Sequence, residues 1–392
     1  MRGVLEILAV EGYRSLRRLV VPLGEVTVVT GPNGSGKSSL YRTLRLLADV
    51  ARNGAVGSLA REGGLPSTLW AGPEKPPGAG EPVQGTVRKG PVGLRLGFSG
   101  SEFGYAVDLG LPKPSTISAF TLDPEIKVEA IWSGPRLRPS SLLSERAGPT
   151  VRIREGKSWR LVASNLKSYD SMLSEVADPE VAPEILRVRE QVRSWRFYDH
   201  FPTDPGAPAR LSPPATRTPR LAADGGDLAA ALQTIIEVGD APALEATIES
   251  AFPGSRLEIG TDRKGWLELG VRQPGMLRPL GVAELSEGTL RYLLLAAALL
   301  SPRPPELLVL NEPEAHLDPS LLAPLAELIV AASSATQLIV VSHARSLVDA
   351  LGAGPAADEG TVRSVRLVKE QGETRVEGLR FLDEPPWEWP KR

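Results

Sequence analysis

The sequence has no cysteine. That excludes disulfides, thiolate zinc sites and cysteine nucleophiles, and it fits a reducing cytoplasm. Its three histidines are scattered and make no metal site by themselves. The longest apolar run, Leu293 to Leu300, falls well short of the roughly 20 residues that span a bilayer. Met1 to Val10 lacks the charged start, apolar stretch and small-residue cleavage site of a secretory signal. A soluble, cytoplasmic protein with no membrane partner is therefore expected. Charge of either sign is barely in excess, the formal net charge being -2, so a case for nucleic acid must rest on a local basic face. There is no heptad run long enough for a coiled coil and no internal repeat.

What is present is enough for one large α/β domain, or a domain with an elaborate insertion. Of 392 residues, 42% are hydrophobic, so a sizeable core can form. The 39 Gly and 36 Pro imply many loops. Val4 to Val10 and Val26 to Thr30 read as strands, separated by a polar turn at Glu11-Gly12. After Gly36, apolar residues Leu40, Leu44, Leu47 and Val50 recur on one helical face. Gly72 to Pro91 is a Pro/Gly-rich loop. Val92 to Phe98, Tyr105 to Leu109 and Ile126 to Trp132 suggest an antiparallel β layer. Leu142 to Arg196 reads as polar helices, clearest at Pro183 to Trp195, and Pro202 to Pro219 as irregular chain. A helix pair is expected over Asp227 to Ile236 and Ala241 to Ala251, the first capped by Asp224 or Asp227. The last third alternates: helix Thr289 to Leu300, strand Leu307 to Leu310, helix Pro319 to Ala331, strand Leu338 to Val341, and a short helix from Arg345.

Gly31-Pro32-Asn33-Gly34-Ser35-Gly36-Lys37-Ser38 fits G-x-x-x-x-G-K-[ST] in full, between a strand and a helix. Glycines let such a loop wrap closely, with N–H groups pointing inward at phosphates. Lys37 supplies a point charge for the β- and γ-phosphates and the Ser38 hydroxyl a magnesium ligand. Asn33, Gly34, Ser35, Gly36 and Ser39 complete the expected nucleotide contacts, at a helix N-terminus that favours anions. The second element is Leu307-Leu308-Val309-Leu310-Asn311-Glu312-Pro313, an apolar strand ending in a polar pair. Such a strand is buried and parallel and delivers its C-terminal residues to a ligand crevice. Glu312 is the expected base for the attacking water. Asn311 stands where a magnesium site usually has Asp; it can accept from a metal-bound water but brings no charge.

These residues and four further stretches resemble the ABC superfamily of ATPases, and within it the RecF/SMC-like branch of stand-alone bacterial ATPases. Leu285-Ser286-Glu287-Gly288-Thr289 resembles the signature L-S-G-G-Q. Asn311 to Asp318 aligns without gaps on D-E-P-T-S-A-L-D. Val340-Val341-Ser342-His343 is similar to the switch strand ending in histidine, and Glu11 to Leu16 to the opening of RecF-like heads. The resemblance implies an ABC-type α/β head (1–392) with a P-loop and antiparallel β lobe (1–135), a helical insertion lobe (136–280) and a signature, Walker B and switch part (281–392). It also implies that ATP and Mg2+ are bound, that Ser286 and Gly288 contact the γ-phosphate held by a second copy, and that His343 senses it in its own copy. ATP would drive homodimerisation, and hydrolysis would reopen the pair. DNA repair or genome maintenance is the implied role, with anti-phage defence equally compatible; DNA and an unidentified protein are the implied partners. A nucleotide switch with little turnover is the rival that Asn311 motivates. Gln84 is the candidate for the glutamine loop. Tyr13 or Arg14 could stack on adenine or simply occupy a sheet edge. Arginines from Arg187 to Arg196, with Arg210, Arg217 and Arg220, could track DNA phosphates or form a solvated face.

Overall fold

The computed structural model describes residues 4–52, 54–73, 93–113, 118–176, 178–353, 360–380 and 383–392. In chain order its strands are β1 (Leu5–Tyr13), β2 (Leu16–Pro22), β3 (Val26–Thr30), β4 (Gly93–Gly100), β5 (Phe103–Gly110), β6 (Glu125–Ser133), β7 (Leu142–Ala147), β8 (Thr150–Glu155), β9 (Ser158–Ala163), β10 (Arg196–Tyr198), β11 (Arg256–Thr261), β12 (Leu267–Arg272), β13 (Leu280–Gly281), β14 (Leu307–Asn311), β15 (Gln337–Val341), β16 (Val362–Glu370) and β17 (Glu373–Val376). The helices are α1 (Lys37–Arg52), α2 (Ala55–Arg61), α3 (Leu65–Thr68), α4 (Met172–Glu175), α5 (Pro183–Ser194), α6 (Leu228–Val238), α7 (Ala241–Ala251), α8 (Glu287–Leu299), α9 (Leu322–Ser333) and α10 (Arg345–Ala353). They form two compact units, one of Met1–Gly24, Thr30–Trp195 and Val365–Arg392, the other of Glu25–Val29 and Arg196–Ser364.

The first unit is built on an antiparallel sheet in the order β2-β1-β4-β5-β6-β7-β8-β9. Two expectations change here. Glu11-Gly12 lies inside β1, and the chain reverses instead at Arg14-Ser15, where Tyr13 pairs with Leu16. Leu142 to Ala163 is not helical: it forms β7, β8 and β9. In β8, Val151 and Ile153 are buried while Arg152 between them is exposed, the period-two alternation of a half-covered strand. The flanking hairpins turn at Gly148 and Gly156, whose φ of 59° and 63° suit residues without a Cβ. The α1 face is as expected, with Leu40, Leu44, Leu47 and Val50 all buried. An ion pair between Glu129 and Arg146, both fully buried, is kept viable by dense hydrogen bonding. Glu129 also accepts from Tyr105 Oη and Met172 N, and Arg146 donates to Lys167 O. Ala9, Ala106 and Ala130 leave shallow ground on the sheet that Trp387 and Trp389 fill. A Cβ on Gly97 would come within 2.6 Å of the Trp387 ring. Arg392 fixes the same segment through two 2.7 Å bonds to Asp108.

The second unit carries parallel pairings β10–β14, β14–β15 and β15–β3. Leu307 to Leu310 are all buried, as a parallel strand covered on both faces requires. Helix α8 is buried along its whole length from Leu290 to Leu299. Asp227 stands at the N-cap of α6 but makes no side-chain capping bond: it accepts from Ala222 N, and Asp224 from Gly226 N. Asp240 caps α7 by accepting from Ala243 N. β11, β12 and β13 form a small antiparallel sheet, so residues 136–280 hold strands as well as helices.

Candidate functional site

In the first unit, the loop after β3 is shaped by glycine. Gly31, Gly34 and Gly36 have φ of 145°, 76° and 108°. A Cβ on Gly31 would lie 2.2 Å from Leu367 O, and one on Gly36 would lie 2.4 Å from Thr374 Oγ1. Both glycines are therefore demanded twice, by conformation and by contact. Lys37 is buried, and its Nζ donates to Gly31 O at 2.6 Å and Pro32 O at 3.2 Å. Asn33, Gly34 and Ser38 are exposed and Ser39 is half-buried, while Ser35 is buried with no partner for its Oγ. The floor of the loop is Thr374 of β17, fully buried, with Oγ1 2.7 Å from Ser35 O and 2.8 Å from Ser15 Oγ. A hydroxyl has one hydrogen and Ser35 O can only accept, so Thr374 donates there and Ser15 supplies the other bond. Nothing in the sequence marked Thr374. The result is a glycine-shaped cradle at a helix start, lined by an ammonium and an unpartnered hydroxyl, and those groups fit a phosphate chain.

In the second unit, β14 brings Asn311, half-buried, to the strand end, and Glu312 follows in the left-handed region at φ 50°. A non-glycine residue rarely adopts that conformation without tertiary support. The support is visible: Glu312 N donates to Val341 O at 2.8 Å, and Arg291 Nη2 donates to Glu312 O at 3.0 Å. Arg291, from inside α8, is only 1% exposed; burial lowers its pKa, opposed by the carboxylates of Glu314 and Glu312. His343, just beyond β15, places Nδ1 3.6 Å from Glu312 Oε1 and 3.5 Å from Glu314 Oε1. Glu312 and His343 are thus brought together. Glu314 and Arg291 were not anticipated. A lone arginine in the apolar run Leu290 to Leu300 was the available signal for Arg291, since a buried cation needs acceptors.

Ser286 caps α8, accepting from Thr289 N at 3.1 Å, and its own side chain is exposed. Gly288 runs close to the turn after Glu312: a Cβ there would sit 3.0 Å from His316 O. His316, at φ 63°, stands 3.9 Å from Glu287 and stacks obliquely on His200, their ring centres 5.7 Å apart. Arg210 donates to Val282 O, Ala283 O and Leu285 O, which pins the segment leading into Ser286.

Tyr13 is fully buried and hydrogen-bonded to Glu62, so its ring cannot stack on a base. Burial, and the Glu62 carboxylate beside it, push its phenol pKa well up. Arg14 instead lines a cleft of about 350 Å³ with Ser15, Trp70, Lys369 and Gln371. Gln84 lies outside the described residues, as does most of the Pro/Gly-rich loop. The arginines considered for DNA have protein partners: Arg193 donates to Ala51 O and Arg220 to Arg303 O, while Arg187 and Arg217 face Glu102 and Glu237. Among the described residues no cluster of His, Asp or Glu could hold a separate metal ion. No helix among them is long and apolar enough to cross a membrane.

A phosphate-shaped loop opening a helix after a sheet strand, together with a parallel strand ending in Asn311-Glu312, defines a P-loop ATPase. The chain belongs to the family described as "AAA domain, putative AbiEii toxin, Type IV TA system", whose model matches residues 26–349. No curated protein matches it. Similar solved structures include an SMC head bound to the C-terminal winged-helix domain of ScpA, 14% identical over 95% of this chain and 97% of that one, TM-score 0.49. Another is the SMC head domain from Thermotoga maritima, 16% identical over 96% of this chain and 98% of that one, TM-score 0.48. A third is an Smc head with an extended coiled coil bound to the C-terminal domain of ScpA from Pyrococcus furiosus, 12% identical over 95% of each chain, TM-score 0.46. The family assignment rests on the family model alone.

Proposed function

We propose that the chain hydrolyses ATP with Mg2+ and that two copies close around two nucleotides to do so. The observation that carries this is the Glu312–His343 pair, 3.6 Å apart at the ends of neighbouring parallel strands. The left-handed turn at Glu312 is held there at both its N–H and its carbonyl. Glu312 is the group that orients the attacking water and takes its proton. Lys37 and the N–H groups of Asn33 to Ser39 hold the phosphates. Ser38 and Asn311 would hold the magnesium, which neutralises charge on the phosphates when bound. Without a carboxylate at Asn311, the metal's hold rests chiefly on Ser38 and the nucleotide. The base is assigned to the cleft beside Arg14 and Trp70, where an indole and a guanidinium offer flat faces.

An exposed Ser286 at the head of a helix can turn its hydroxyl to a phosphate on a second copy, and this supports the dimer. The family description, which names a toxin of a type IV toxin–antitoxin system, favours a defence role over genome maintenance. The arginines once considered for DNA lend the latter no support. Turnover and size-exclusion chromatography of wild type and Glu312→Gln, with and without ATP and Mg2+, test the proposal. Glu312→Gln should lose about 100-fold or more in turnover and elute as a dimer only with ATP. Equal rates in the two proteins would sink hydrolysis at Glu312, and a monomer under every condition would sink the clamp.

A further inference from the structure

Glu314 carries no role in that account, yet its carboxylate is closely held. Its side chain is 6% exposed. Three donors converge on one oxygen, Oε1: Ser342 Oγ at 2.7 Å, His343 N at 3.0 Å and Ala344 N at 3.2 Å. The same oxygen is 3.5 Å from His343 Nδ1, while Oε2 is buried without a hydrogen-bond partner. Leaving one oxygen unsatisfied to concentrate donors on the other costs stability. The three donors fix the position of Oε1.

That position links two turns. Glu312 N is tied to Val341 O at 2.8 Å. Two residues later, Glu314 is tied to the main chain of residues 343 and 344. The turn after β14 is thus fastened on both sides of the end of β15, and the separation of Glu312 from His343 follows from those fastenings. We propose that Glu314 is a positioning residue for hydrolysis: its Oε1 sets where His343 stands relative to Glu312. This rests on the ATPase reading above. What matters is an acceptor at the full reach of a glutamate side chain, more than the negative charge. Gln retains that acceptor; Asp retains the charge but draws the oxygens back by one methylene, about 1.5 Å.

The test is steady-state ATP turnover of wild type, Glu312→Gln, and the Ala, Asp and Gln variants at Glu314, each checked for folding by circular dichroism. Glu314→Asp and Glu314→Ala should lower kcat about tenfold or more, with the half-saturating ATP concentration within about threefold of wild type. Glu314→Gln should stay within about threefold of wild-type kcat. A purely structural role would reduce the folded fraction and leave kcat per folded molecule alone. If Ala does not fold, the order of Gln and Asp still decides. Asp matching or exceeding Gln, in a protein whose wild type clearly outpaces Glu312→Gln, overturns this inference and leaves the ATPase standing. A wild type no faster than Glu312→Gln overturns both.

Discussion

Replacing Thr374 by valine removes one hydroxyl and almost nothing else, since the two side chains have the same shape. The site is fully buried, so no water takes the place of the lost group. Two contacts disappear, at 2.7 Å to Ser35 O and 2.8 Å to Ser15 Oγ. Each such bond contributes about 1 kcal/mol net, and a buried acceptor left unpaired costs about 1–3 kcal/mol. Ser15 can turn its hydroxyl elsewhere, whereas the Ser35 carbonyl cannot move without the loop. A total of about 2 kcal/mol follows, falling mainly on the Ser35–Gly36 peptide that must keep its N–H turned towards phosphate. Borne fully by the binding conformation, that weakens affinity by about thirtyfold. Titration calorimetry with a non-hydrolysable ATP analogue and Mg2+ measures it, with Thr374→Ser as the control that keeps the hydroxyl. Wild-type affinity in the valine protein, or equal losses for serine and valine, would refute the argument that this hydrogen bond shapes the loop.

Arg291→Met keeps length but removes donors from Glu312 O and Pro313 O and a counter-charge from near Glu314. Breaking one side of such a buried set should cost about 2–4 kcal/mol. Urea unfolding followed by circular dichroism reads it; a loss under about 1 kcal/mol would contradict the reading. At alkaline pH the buried tyrosines should weaken the fold. Burial pushes the Tyr198 phenol from 10.0 up to about 12, and Tyr105 and Tyr292 move the same way for the same cause. Because the folded pKa is the higher one, this contribution is intact below pH 10 and is lost as the pH rises through about 12. A melting temperature that stays flat across that interval would rule it out.

The parts of the site legible in the sequence were those whose chemistry is local. Gly31 to Ser38 announces a cradle because the glycines and the lysine act within one loop. Leu307 to Glu312 announces a strand end because apolar run and polar stop are contiguous. Thr374 was invisible because its partners, Ser15 and Ser35, are more than three hundred residues away in the chain and a lone threonine in a β-hairpin looks like any other. Glu314 was hidden by its neighbours: a carboxylate beside Pro313 reads as a surface turn until the three donors from the end of β15 are placed. In the fold, Leu142 to Ala163 was misread because charged residues alternate with few large apolar ones. Only the buried Val151 and Ile153 betray the two-residue period, and the exposed face of β9 dilutes it further. Tyr13, which the sequence leaves open between adenine stacking and a sheet edge, is core, and its hydroxyl serves Glu62.

The path of β3 has a consequence for synthesis. This strand is made early, yet its partner β15 spans Gln337–Val341. At about 5–20 residues per second, a ribosome needs roughly 15–60 seconds to emit the intervening chain. Throughout that interval an apolar strand, Val26 to Val29, is outside the tunnel with the pairing edge meant for β15 open. A nascent chain of this protein should therefore be a good client for factors that shield strand edges. Stalls placed before codon 337 should trap it with that edge exposed.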